Sequence, residues 1–386
     1  MGNLATTIPF TELWERLLTM GRVDVPNNED YAKGLINDVY TRTLPRKMDW
    51  EPLVKDGTLG MTPYYNTGLA TITAGSTSLT GVGTTWTSAM VSADGYKIKF
   101  SGNNNIYSFD YASATTATIS PALSQATDLT SATYVIFRDE YQLASDFNRL
   151  LMNGSIYVYS GGRVRDIIRE IPRDKFNAQF SPEATDPIQR AMLTRTHATT
   201  GNRLVRLNPP PKTAYVYPYE YIELVTPMTD YNAGSVAVTN ASATVTGTDT
   251  FFTANVAVGD YFRVDSNGIG DSSKWYKVSS VDSNTQLTLS ENFGEYTESA
   301  LEYRVSKAPT AFPFPFHEFI LYEAVLKVVT EQGDTVLSAI ATERDAILSD
   351  LKKNYKSRRT NVQYSAYDDG VRSYQGTGTG DDNSWR

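Results

Sequence analysis

Two histidines, His197 and His317, and two adjacent carboxylate pairs, Asp368-Asp369 and Asp381-Asp382, are the residues of this chain best suited to bond-making chemistry. There is no cysteine in its 386 residues. That removes disulfides, thiol nucleophiles and cysteine-based zinc sites, and two histidines are too few for a multi-histidine metal centre. Both carboxylate pairs fall in a Gly-, Ser- and Asp-rich tail. Glycosidase chemistry needs two carboxylates held rigidly across a sugar, which such a tail does not provide. Gly376-Thr-Gly-Thr-Gly380 carries the glycines of a phosphate loop but follows no strand pattern and opens no helix. Asp265-Ser-Asn-Gly-Ile-Gly-Asp271 begins like a calcium loop, yet Tyr276 stands where a bidentate glutamate is required, so a hairpin turn is the plainer reading. His317 opens an apolar helix and reads as a hydrogen-bonded structural residue. His197, in a Thr-rich loop, reads as solvated. No nucleophile elbow, Walker loop or H-E-x-x-H pattern is present. The expectation is a protein with no catalytic, cofactor or metal site, and not an enzyme.

Charge points the same way. A formal net charge of −8 does not suit a protein that grips nucleic acid through its phosphates. Arg163, Arg165, Arg169 and Arg173 could form a basic face, but Asp166, Glu170 and Asp174 interleave with them. A solvated or subunit-pairing strand fits that pattern better than a DNA contact. Tyr215, Tyr217, Tyr219 and Tyr221 alternate with period two, as in an aromatic-lined sheet or interface. No apolar run approaches the ~20 residues of a membrane span, and the start of the chain lacks the basic and apolar segments of a signal peptide.

The elements that would position these residues fall into two kinds. Phe312 to Tyr355 carries the strongest helical signal, with Phe316, Phe319, Ile320, Ala324 and Val328 on one face and Leu321, Val325 and Leu326 widening it. Its only polar stripe is Glu323, Lys327 and Glu331, a candidate contact with a neighbouring subunit. Gly333-Asp334 divides it into a helical hairpin. Phe10, Leu13, Trp14, Leu17 and Leu18 predict a first helix, and a second runs from about Glu29 to Tyr40 and ends by Pro45. These terminal helices are expected to close one bundle. Between them, period-two alternation broken by Gly, Ser, Thr and Asn predicts two β-rich modules. They repeat one another: Leu79-Thr-Gly81 with Thr84 and Trp86 matches Val245-Thr-Gly247 with Thr250 and Phe252. Both read as insertions.

The expected fold class is therefore α+β. A helical bundle from the N- and C-terminal helices carries a small β-sheet, two inserted all-β modules of barrel or sandwich type and an extended C-terminal arm. The expected divisions are a helical part (1–66), the first β module (67–138), a middle α+β part (139–231), the second β module (232–307), the helical hairpin (308–356) and the arm (357–386). The arm has few core residues but carries Arg358, Arg359, Tyr364, Tyr367 and Tyr374, a composition suited to ordering on a partner.

Outside the modules the chain resembles the head-to-tail adaptor (connector) family of tailed bacteriophages, of the podovirus kind. The resemblance rests on Trp50 after a helical pair, Tyr141-Gln-Leu-Ala-Ser-Asp-Phe147, Val164 to Phe176, Leu204-Val-Arg-Leu-Asn-Pro-Pro-Pro211, Tyr217 with Tyr221, and Phe314-Pro-Phe-His-Glu-Phe-Ile320. Ala144 stands where the family carries proline. The β modules look like the Gly-x-Gly-Thr-x-Trp/Phe modules of phage tail proteins. What the resemblance implies is a virion protein that forms a ring, commonly dodecameric, docked on the portal protein. It would extend the DNA channel, let double-stranded DNA pass without sticking, and offer a platform to tail, nozzle and fibre proteins. The candidate contacts for portal or subunits are then Tyr364, Tyr367, Tyr374, Arg358, Arg359, Glu323, Lys327, Glu331, Arg163 and Arg165. The alternative is a tail fibre or baseplate receptor-binding protein whose β modules hold carbohydrate.

Overall fold

The computed structural model describes residues 7–22, 28–151, 156–160, 163–178, 180, 188–265, 274–332, 337–356, 362–366 and 372–376. The helices are α1 (Phe10–Met20), α2 (Glu29–Asp38), α3 (Leu44–Lys47), α4 (Arg173–Ala178), α5 (Phe252–Asn255), α6 (Pro315–Gln332) and α7 (Leu337–Tyr355). Helix α2 does not end before Pro45. It passes through a π turn, Val39–Thr43, into α3, where Pro45 occupies the first turn and its missing N–H costs nothing.

Helices from both ends of the chain share one apolar core. Leu13, Trp14 and Leu17 of α1, Ala32 and Ile36 of α2, and Phe316, Phe319, Ile320, Ala324 and Val328 of α6 are all buried in it, with Trp50 and Leu53 between them. Each fully buried Leu, Ile, Val or Phe among them contributes about 1.5–3 kcal/mol. The ring of Trp50 meets Phe316 edge-on at 5.0 Å, and its indole N–H donates to the Leu44 carbonyl at 2.7 Å.

The expected fold class is nonetheless overturned, because the protein is mostly β. Sheets of seven and eight strands dominate it, and the "small sheet" of the body has eight strands of its own. Val54–Gly60 pairs along its length with Val216–Glu223, which continues to Ile156–Ser160, Arg163–Glu170, Arg190–Thr196, Arg203–Asn208 and Glu140–Gln142. All these pairings are antiparallel except Arg163–Glu170 with Arg190–Thr196. Phe147–Leu150 also joins Val216–Glu223. Several of these strands have weak local signals. Glu140–Gln142 and Phe147–Leu150 lie in a polar stretch, and Arg190–Thr196 mixes Arg and Thr with Ala, Met and Leu without clear alternation. Such strands exist because their partners do, which is a non-local fact.

The two β modules are curled antiparallel sheets with one topology. From edge to edge the first runs Leu129–Ala132, Leu69–Ile72, Ser78–Val82, Thr116–Ser120, Ile106–Tyr111, Tyr96–Phe100, Tyr134–Arg138. The second runs Glu298–Leu301, Ser235–Val238, Thr244–Thr248, Gln286–Leu289, Tyr276–Ser283, Tyr261–Val264, Tyr303–Ser306, with Asp230–Tyr231 added at the end. The likeness extends to single atoms. Thr84 Oγ1 donates to the Ala114 carbonyl at 2.8 Å and Thr250 Oγ1 to that of Asn284 at 2.7 Å. The Thr85 and Phe251 amides each donate to a tyrosine hydroxyl, Tyr65 and Tyr231, at 2.7 Å. Gly81 and Gly247 lie so close to these threonines that neither position has room for a Cβ.

Candidate functional site

The densest polar cluster among the described residues joins the second β module to the helical core. Asp230 accepts from Thr11 Oγ1 at 2.8 Å and from the Trp14 indole at 2.9 Å. Arg263, only 2% exposed, bonds Glu15 at 2.9 Å and Asp265 at 3.0 Å. Arg304 bonds the other Asp265 oxygen and Glu29, both at 3.0 Å. Burial opposes the charge on Arg263, but the hydrogen bonds it donates to Glu15 and the negative charges of Glu15 and Asp265 outweigh it and raise its pKa. The spacing explains the fit: Thr11, Trp14 and Glu15 lie three and four apart, on one stripe of α1. The module is thus bound to the body through desolvated ion pairs, more closely than an appended insertion. Asp265, which opens the calcium-like sequence, has both oxygens taken by arginines. Among the described residues, no group of three or more His, Cys, Asp or Glu is placed to hold a metal ion.

The polar stripe of α6 is used inside the chain. Glu323 is buried and bonds Arg344 of α7 at 2.6 Å and Lys47 of α3 at 3.3 Å. Lys327 bonds Asp38 of α2 at 2.8 Å and Thr43 Oγ1 at 3.1 Å. Two of the expected inter-subunit contacts therefore brace α6 against its own neighbours. Glu331 lies in the last turn of α6, its side chain outside the described residues. Arg163 starts its strand opposite Ser160, and the register skips Arg165, which marks a bulge there. Tyr364 and Tyr374 face each other across a two-stranded hairpin, Val362–Ala366 with Arg372–Gly376, which forms a sheet separate from the other three. Arg358, Arg359 and Tyr367 lie outside the described residues.

The segment Tyr141–Phe147 folds onto the tyrosine strand. Phe147 packs against Tyr219 and Tyr221 at ring distances of 6.5 and 5.7 Å, and Asp146 accepts from the Tyr221 hydroxyl at 2.8 Å. The Ala144 amide donates to the Tyr219 hydroxyl at 2.8 Å, a bond that proline could not make. Tyr217, Tyr219 and Tyr221 are buried, so these tyrosines line the inside of the body and leave only Tyr215 and its neighbour Val216 exposed.

Both histidines are buried. His317 Nδ1 accepts from the Ile8 amide at 3.1 Å and Nε2 is 3.0 Å from the Phe312 carbonyl, so the neutral ring is bonded at both nitrogens. Burial lowers its pKa. His197 is not solvated as its loop suggests. Its ring is 7% exposed, with Nδ1 3.1 Å from Thr200 Oγ1 and Nε2 3.6 Å from Asp94, a residue of the first module. Sequence reasoning missed Asp139 altogether. It is fully buried between Lys97 of the first module and Arg206 of the body, each at 2.6 Å, and so joins that module to the body as Glu15 joins the second.

A scan of protein-family models and a search of curated proteins find no match to this chain. Among solved structures, the chain is similar to a phage phi92 endosialidase at 11% identity and TM-score 0.18, covering 69% of this chain and 31% of that one. It is also similar to the translation elongation factor SelB of Methanococcus maripaludis at 8% identity and TM-score 0.15, covering 66% of this chain and 63% of that one. The chain thus spans less than two thirds of either structure.

Proposed function

We propose that this chain is a structural protein of a tailed-phage virion, a head-to-tail adaptor whose copies form a ring, commonly dodecameric, on the portal. In this reading the ring extends the DNA channel for packaging and ejection and offers its β modules to tail, nozzle and fibre proteins. One observation carries the reading beyond the resemblance. The terminal helices share one core, and the chain leaves it at Lys356, bridged to Trp50, to form a separate two-stranded hairpin. Among the described residues no other strand pairs with that hairpin, which leaves its edges to strand addition, a common means of joining one chain to another. The net charge of −8 suits a channel through which DNA must slide.

The test is binding to purified portal rings of the full chain and of a chain ending at Lys356. The expected result is that truncation abolishes binding while circular dichroism and thermal unfolding of the remainder stay unchanged. Undiminished binding by the truncated chain would sink the assignment of the arm. Failure of the full chain to bind any portal, with a trimeric mass in solution, would sink the adaptor reading and favour a receptor-binding protein.

A further inference from the structure

The two β modules share more than a topology, and their outer faces can be compared residue for residue. In the second, Arg263 pairs with Arg304 and Val264 with Tyr303; in the first, Lys99 pairs with Val135 and Phe100 with Tyr134. Tyr65 bridges Ile136 where Tyr231 pairs with Val305. The face of the second module that carries Asp230, Arg263 and Arg304 therefore corresponds to Tyr64, Lys99 and Val135 in the first. On the second module that face is covered by α1. On the first it borders an open groove of about 520 Å³ lined by Tyr64, Lys99, Ser101, Thr133 and Val135. Among the described residues Lys99 has no ion pair, while its strand neighbour Lys97 is held by Asp139.

We propose that this groove also seats a helix, and that the helix is α7 of a second copy of this chain. The replacements define what fits. One positive charge is kept, Lys99 for Arg263, while Asp230, Asp265 and Arg304 become Tyr64, Ser101 and Val135. The occupant should carry one carboxylate where Glu15 stands, with small uncharged residues about it, because the rest of the ionic network is gone. One exposed side of α7 comes near that composition: Ala339, Thr342, Glu343, Ala346 and Ser349 are all exposed along it, and of its two acids Asp350 is paired with Lys353, which leaves Glu343 available. Small side chains let a helix lie close to a strand face. Among the described residues, no ion pair occupies Glu343. Helix α1 is not available for this role, since its own second module covers it. A groove and a helix on different faces of one chain make a head-to-tail contact, the kind that closes into rings. The inference thus deepens the ring part of the proposed function and rests on it.

Sedimentation velocity and mass photometry of the full chain test the contact. The chain as it stands is expected to self-associate with rising concentration. Lys99→Glu and Glu343→Lys should each weaken association by at least about tenfold, and the double exchange should restore it. Because the chain has no cysteine, Val135→Cys with Ala346→Cys adds the only two thiols, and oxidation should give a ladder of covalent oligomers. A chain that stays monomeric at all concentrations and gives no ladder would overturn the proposal and the ring with it. Rings that form regardless of Lys99→Glu, with no ladder, would overturn this contact and leave the adaptor reading standing.

Discussion

Arg263 donates to both oxygens of Glu15, at 2.9 and 3.4 Å, across 248 positions of sequence, and both residues are buried. The pair ties the second β module to the first helix of the body. An ion pair out of water is held in place by the cost of breaking it more than by its own net energy. Glu15→Ala would leave the guanidinium with Asp265 alone and is expected to cost about 1.5–3 kcal/mol in urea unfolding, the worth of hydrogen bonds to a charged group. Replacing both residues by apolar ones of similar volume should cost far less. Excising residues 232–307 should likewise weaken the helical core, measured by loss of helical dichroism at lower urea.

The two glycines of the repeat give a matched pair of probes. At Gly81 a Cβ would run into the Thr84 side chain and come within 2.9 Å of the Trp86 ring; at Gly247 it would meet Thr250 and come within 3.0 Å of Phe252. Gly81→Ala and Gly247→Ala should each cost about 1–3 kcal/mol through overpacking. Amide hydrogen exchange should show the loosening confined to the module that carries the change.

His317 makes stability depend on pH. Burial holds its folded pKa below the ordinary value of 6.5, so below that pH the unfolded chain takes up a proton that the folded chain refuses. The stabilisation from the neutral ring is complete above pH 6.5 and is lost as pH falls from there through the lower folded value. His317→Phe should remove this part of the pH slope of the urea midpoint. It should also cost about 1–3 kcal/mol at neutral pH by leaving the Ile8 amide without its acceptor.

Ala144 offers a test of how the segment Tyr141–Phe147 is held to the tyrosine strand. Ala144→Pro removes the amide that donates to the Tyr219 hydroxyl and should lower stability by about 1 kcal/mol. Tyr219→Phe in the same background should then cost almost nothing more, as a double-mutant cycle would show.

Much of this protein is local and could be read from residue order. The apolar face of α6, the face Phe10-Leu13-Trp14-Leu17-Leu18 of α1 and the Gly81/Gly247 repeat declare themselves through period and spacing, since each depends on neighbours within a few positions. Which charges meet was not legible. Glu323 and Lys327 look like a surface stripe until α7, α3 and α2 close over them, and Asp139 shows no sign of the two cations that bury it. The mostly β character was also hidden. Strands such as Val54–Gly60 and Glu140–Gln142 have little pattern of their own and exist through partners more than sixty residues away. Helical hydrogen bonds close within four residues, so sequence carries them. Sheet ladders and buried ion pairs close across the whole chain, and only the tertiary structure decides them.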